Sequence, residues 1–247
     1  MHKHTRSAAG RMRSRVSRQL RLLQPTRRNR FTLTMTELDR VAGNDSLAVL
    51  DAACSEGLLA ELIADRHPDW TIDACDSDPE VIALASDATA STSNVRVFVS
   101  DLTQPLVDAS YEAVVALECL HLIPDDKAAV ATLADATKPG GLFLAHVPLR
   151  DWKRVSRIGR TEWEGEVRSG YTPEELTDKL EDAGLRDISV TYTSRSLARL
   201  GAEFSDRLPR RRLVHYVWLP VSMAIAWLDR HGVTWGPPTS FLIRARR

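Results

Sequence analysis

From Ser46 onward the chain alternates short β-branched or apolar runs with longer helical patterns. This alternation constrains the fold more than any other feature, because strands joined through helices form a largely parallel sheet covered on both faces. The runs lie at residues 47–50, 71–75, 95–99, 113–117, 142–147, 188–192 and 240–243. Helix patterns sit between them: one from about Glu56, with Leu58, Leu59, Leu62 and Ile63 on one face, one opened by Asp78-Pro79-Glu80, and one by Pro124-Asp125-Asp126. Lys138-Pro139-Gly140-Gly141 reads as a turn before the fifth strand. The expectation is an α/β fold: a doubly wound, seven-stranded, mostly parallel sheet with helices on both faces and helical additions at the N- and C-terminal ends.

With 247 residues, one such domain plus appendages accounts for the chain. Residues 1–30 read as a basic arm, partly disordered or helical, and 31–247 as the domain. The rhythm breaks over 148–170, too long for an ordinary connection and so a lid, and again over 194–237, a helical insertion. The formal charge of zero hides three blocks. Residues 1–30 hold ten bases and no acid, 31–194 hold thirteen bases and thirty acids, and 195–247 hold ten bases and three acids. The acidic middle is a poor nucleic-acid surface, and no specific nucleic-acid partner is expected. The basic ends suit a polyanion or an anionic membrane, or are simply solvated. The Arg-rich first thirty residues also read as a transit peptide or an early start codon.

Cys54, Cys75 and Cys119 form no CxxC pair, so neither a disulfide frame nor a metal site is expected, and a reducing cytoplasm fits. The most apolar stretch, 213–228, is interrupted by His215 and Pro220 and is shorter than the ~20 residues a bilayer span needs. Arg207, Arg210, Arg211 and Arg212 precede it, and it contains Tyr216, Trp218 and Trp227. That combination reads as a packed cap, a homodimer face, or a peripheral membrane contact.

Ligands of open parallel sheets bind outside the carboxyl ends of the strands. The first strand ends in Asp51-Ala52-Ala53-Cys54-Ser55-Glu56-Gly57, small residues that let backbone approach a ligand ahead of a helix N-terminus, although small residues also serve plain packing. Asp76, at the end of the second strand and 25 residues after Asp51, is spaced to accept both hydroxyls of a ribose, or serves the turn. Asp101 ends the third strand and Glu118 the fourth.

Together these residues resemble the class I S-adenosylmethionine-dependent methyltransferases, whose fold is Rossmann-like, over about residues 46–192. The acidic, glycine-rich first loop is matched by residues 51–57, the second-strand acid by Asp76, and the adenine-side acid by Asp101. The fourth-strand segment is matched by residues 117–125 and the fifth-strand lead by Lys138-Pro139-Gly140-Gly141. The resemblance implies S-adenosyl-L-methionine as cofactor, with Asp51, Ala53, Ser55 and Gly57 at its methionine part. Asp76 and Ser77 would hold the ribose, Ser100, Asp101 and Leu102 the adenine, and Glu118 to His121 the wall beside the methyl group. Residues 168–176 are similar to a branch of small-molecule and glycolipid-associated enzymes. The chain departs from the pattern where Ala53 and Ser55 replace glycines, which narrows the space for the cofactor.

Methyl transfer needs alignment, a dry pocket and, for some acceptors, a base. His121 is the first candidate base, an imidazole expected at the methyl wall, though a structural histidine reads equally well. His146, Arg168 and Tyr171 are the expected acceptor-side residues; Tyr171 also reads as helix-start packing and Arg168 as balancing nearby acids. The leading expectation is O-methylation of a small molecule in secondary or specialised metabolism. The alternatives are a non-methylating S-adenosylmethionine-binding protein or cyclase, motivated by Ala53 and Ser55, and a nicotinamide-dependent oxidoreductase, disfavoured by the single glycine left in the first loop.

Overall fold

The computed structural model describes residues 20, 22–43, 45–106, 110–150, 152, 167–208, 212–233 and 235–247. Helix α1 (Pro25–Ala42) precedes the first β/α pairs: β1 (Ala48–Ala52), α2 (Leu58–Arg66), β2 (Thr71–Asp76), α3 (Pro79–Thr89) and β3 (Val95–Val99). Then follow β4 (Tyr111–Leu117), a 3-10 turn at Leu120–Leu122, α4 (Asp126–Ala136), β5 (Thr137–Pro148) and α5 (Pro173–Asp182). The chain closes with β6 (Arg186–Arg195), α6 (Ser196–Ser205), α7 (Arg212–Arg230) and β7 (Pro238–Arg246).

The seven strands run in the order β3-β2-β1-β4-β5-β7-β6. Pairs from β3 through β5 are parallel, and β7 runs antiparallel to both β5 and β6. This is the doubly wound, Rossmann-like sheet expected from the alternation. Period-two alternation explains why both faces are covered. Val49, Ala113, Val115, Leu142 and Leu144 point to the face packed by α1 and α2. Leu50, Val114, Ala116, Phe143 and Ala145 point to the opposite face, packed by α4 and α5.

Local chemistry sets the helix starts. Asp78 caps α3, its carboxylate accepting the N–H groups of Glu80 and Val81, with Pro79 in the first turn, and Thr172 caps α5 by accepting from Glu175 N–H. The helix expected near Glu56 starts at Leu58 instead, after Gly57 at φ +70°. Its ideal Cβ would stand 3.1 Å from Ala85 Cβ, so glycine also lets α2 close on α3.

Two local expectations are revised. Residues 138–141 belong to β5 rather than to a separate turn. Gly140, at φ +76°, bends the strand while its N–H donates to Arg247 O at 2.7 Å, so the segment stays paired with the chain end. Helix α7 runs unbroken through Pro220, although proline removes one backbone hydrogen bond there. The 194–237 segment contains α6 and α7. The boundary expected between residues 30 and 31 falls inside α1, which continues the described end of the arm into the domain. Residues 1–19 and 21 of that arm lie outside the described residues.

Candidate active site

Parallel strands that lead into helices on opposite faces leave a crevice at their carboxyl ends, between β1 and β4 in this strand order. A cavity of about 550 Å³ occupies that crevice. Its wall is built by three groups of residues.

The first group comes from the tips of β1, β2 and β3: Ala53, Ser55, Asp76, Ser77, Ser100, Asp101 and Leu102 all line the cavity. Ala53 and Ser55 both stand in the left-handed region, at φ +56° and +51°. That is the conformation glycine adopts freely, and it explains in this chain what glycines at those positions accomplish. The turn directs Ser55 N–H onto Asp76 Oδ2 at 3.0 Å, while Asp78 N–H donates to Oδ1 at 3.2 Å. Asp101 Oδ1 accepts both the N–H and the hydroxyl of Thr103 at 2.9 Å, and these hydrogen bonds hold its carboxyl below the usual range. Both carboxylates are thus anchored at the cavity edge.

Asp51 and Gly57 do not line the cavity. Asp51 is 3% exposed beneath the loop and its Oδ2 has no hydrogen-bond partner among the described residues. Burial, with the nearby Asp76 charge adding to it and the Ala60 N–H opposing it, pushes its carboxyl up to about 7.

The second group ends β4 and β5. Glu118, at φ +58°, sets its carboxylate against His146, with Oε1 2.5 Å from Nδ1, and 3.9 Å from Arg30. Burial raises the Glu118 carboxyl, but Arg30, His146 and His121 outweigh it and hold the group at about 2, so it is an anion throughout the working range. The other ring nitrogen of His146 meets Thr193 Oγ1 at 2.8 Å, and Thr193 in turn meets Ser240 Oγ at 2.8 Å. His121, buried on the cavity wall, has its carbonyl held by the Val167 and Arg168 N–H groups.

The third group comes from the N-terminal helix and the 194–237 segment, and its side chains were not singled out in the sequence. Thr26, Arg27 and Arg30 of α1 and Arg199 and Ala202 of α6 line the far side. Arg199 stacks its guanidinium 3.8 Å from the ring centroid of Trp152. Burial lowers the Arg30 pKa, and the charges of Arg27 and Arg199 lower it further against the pull of Glu118, which shows how tightly the cations are gathered. A signal for two of them existed: Pro25 marks a helix start, and positions 27 and 30 fall on one face of that helix. Nothing local distinguishes Arg199.

Arg168 and Tyr171, expected beside the acceptor, do not line the cavity. Tyr171 is fully buried, its hydroxyl 2.9 Å from Leu120 O and 2.7 Å from Asp126 Oδ2. Arg168 donates to the carbonyls of Leu120, Ile123 and Pro124 and to Tyr171. Together they clamp the turn that carries His121. Of the expected lid, Leu149 bridges to Tyr171 and Trp152 reaches the cavity, whereas 151 and 153–166 lie outside the described residues.

The sheet order, the acidic strand tips and the crevice define a class: the fold is that of the class I S-adenosylmethionine-dependent methyltransferases. Residues 49–141 match the family model of a methyltransferase domain. A ubiquinone biosynthesis O-methyltransferase from Methylobacterium nodulans is 30% identical over 163 residues, 60% of this chain and 63% of the relative. A trans-aconitate 2-methyltransferase from Mycobacterium tuberculosis is 28% identical over 113 residues, 45% of this chain and 41% of that protein. The chain therefore spans less than two thirds of these curated relatives. Among solved structures, the N-methyltransferase NodS from Bradyrhizobium japonicum, in complex with S-adenosyl-L-homocysteine, superposes with a TM-score of 0.57 at 19% identity, over 91% of this chain and 88% of that one. The [4+2]-cyclase SpnF superposes with a TM-score of 0.58 at 17% identity, over 87% and 80%.

Proposed function

We propose that this protein transfers the methyl group of S-adenosylmethionine to an oxygen of a small-molecule acceptor bearing an acidic group. The observation that carries the reading is the polarity of one cavity: anchored carboxylates on the β1–β3 side, arginines on the α1–α6 side, and two histidines between. S-adenosylmethionine, when bound, supplies a methyl group on a sulfonium.

The residues fit that cofactor. Asp76 has carboxylate lone pairs left for ribose hydroxyls, with Ser77 beside it, and Asp101 for an adenine amino group, with Ser100 and Leu102 completing that wall. Ala53, Ser55 and Gly57 shape the turn at the methionine end. The carboxyl of Asp51, pushed up to about 7 by burial, would gain negative charge with a cationic ligand above the turn. Glu118, fixed as an anion by Arg30 and His146, borders the reacting centre.

On the acceptor side, an oxygen is nucleophilic only after losing its proton. Arg27, Arg30 and Arg199 lower the pKa of an acidic hydroxyl or carboxyl placed among them, and His121 takes the proton. His146 is the positioning partner of Glu118, since both of its ring nitrogens are already engaged.

Titration calorimetry with S-adenosylhomocysteine tests the cofactor half, and absence of heat would end it. For the acceptor half, a panel of small carboxylic acids and phenols is incubated with S-adenosylmethionine and S-adenosylhomocysteine release is measured. His121→Ala is expected to lower kcat by roughly 100-fold with little change in cofactor affinity. A second reading, ligand binding without transfer, rests on the side-chain bulk that Ala53 and Ser55 add where the resemblance has glycines. Retention of S-adenosylmethionine with no S-adenosylhomocysteine released with any acceptor would select it. Action as a cytoplasmic, small-molecule enzyme of specialised metabolism belongs to the same proposal.

A further inference from the structure

A surface helix of a globular protein buries its apolar stripe and exposes its polar one. Helix α7 is apolar on both sides. Its inward side holds Ser222, Ala226 and Asp229, all buried, with Trp218 packed on Phe204 and Ile225 beside Gly201 of α6. Its outward side shows Leu213, Tyr216, Val217, Val221, Met223 and Trp227, between 45% and 75% exposed. With Pro220 and Ala224 these residues form one uncharged stripe from Leu213 to Trp227, about 22 Å of helix. Single exposed apolar side chains are ordinary, but a contiguous stripe of this length marks a surface that another phase or molecule covers.

We infer that α7 docks this protein onto an anionic lipid surface, lying in the interface rather than crossing it. Three observations favour a membrane over a protein partner. Among the described residues no helix is long and apolar enough to cross a membrane, so the helix can lie on a bilayer but not span it. The only acid in α7, Asp229, is turned inward, where it accepts from Asn29 Nδ2 at 2.7 Å and from Arg195 N–H at 3.0 Å, so no carboxylate opposes lipid phosphates. The segment leading into the helix has Arg207, Arg210, Arg211 and Arg212 and no acid after Asp206, and residues 195–247 hold ten bases against three acids. Tyr216 and Trp227 are residue types that settle at the headgroup level. A cationic approach followed by a tryptophan-bearing apolar face is the chemistry of interfacial binding. This inference does not depend on the methyltransferase reading.

The full chain is sedimented with vesicles of phosphatidylcholine alone and of phosphatidylcholine with phosphatidylglycerol. The expected result is retention on the anionic vesicles that weakens with added salt and falls by roughly tenfold or more in V217E and W227E. Both side chains are exposed, so unchanged far-UV circular dichroism and thermal melting of these variants show that the fold is intact. Equal retention of parent and variants, or no retention of the parent, overturns the inference. So does a concentration-dependent dimer in sedimentation velocity that V217E dissociates, because the stripe would then be a contact between two copies.

Discussion

Ala53 and Ser55 lie in the part of backbone space that an L-residue enters at a cost of roughly 1–2 kcal/mol each. Glycine would remove that cost but lose about 0.5–1 kcal/mol to unfolded-chain entropy. Ala53→Gly and Ser55→Gly are therefore expected to leave urea stability within about 1 kcal/mol of the parent. Ser55→Val, β-branched at positive φ, should lose about 2 kcal/mol. Calorimetry should find S-adenosylhomocysteine bound at least as tightly by both glycine variants, because the turn keeps Ser55 N–H on Asp76 and only side-chain bulk is removed. The replacement of two glycines was visible in the sequence; that both positions keep the glycine conformation was not, since it follows from how the β1 tip meets β2.

At the scale of elements, the turn at Leu120–Leu122 is held from outside by a buried cluster. Tyr171 and Arg168 bond its carbonyls, while Asp126, bridged by Arg168 and Lys179, pins the start of α4. Tyr171→Phe leaves buried acceptors short of a donor and should cost about 1–3 kcal/mol in urea unfolding. Faster amide exchange at Leu122 and Ile123 is expected with it. If stability were untouched while the acceptor KM rose, Tyr171 would be touching the acceptor after all. The sequence pattern placed Tyr171 at a helix start, and Thr172 does cap α5. It did not distinguish a tyrosine facing a cavity from one beneath a turn, because residue type and spacing are the same in both.

For the whole molecule, stability should depend on pH with opposite contributions from two carboxyls. Asp51, raised to about 7 when folded, binds its proton more tightly in the native state, so stability falls as pH rises from about 4 to 7. Glu118, held at about 2, contributes stability that is present above its unfolded pKa and is lost as pH falls toward 2. Urea titrations should therefore place the optimum near pH 4–5, with a decline toward neutrality no steeper than about 1.4 kcal/mol per pH unit from this one group. Asp51→Asn should flatten the decline. A parent protein whose stability rises steadily from pH 4 to 7 would show that Asp51 ionises freely.

The sequence by itself determined the sheet, the direction of most of its strands and the acids at their tips. Those features follow from short apolar runs alternating with helical patterns, each of the first four runs closed by a polar residue, which is local information. Only the tertiary structure decided which side chains stand across the crevice. Arg27, Arg30 and Arg199 come from helices at opposite ends of the chain, brought together because α1 and α6 pack against each other and the β6 region. Likewise, α7 was legible as apolar with tryptophans, but which of its faces is covered depends on the Asn29 and Arg195 partners that hold Asp229 inward. Periodicity shows that a helix has two faces; the packing of distant elements chooses which one meets solvent.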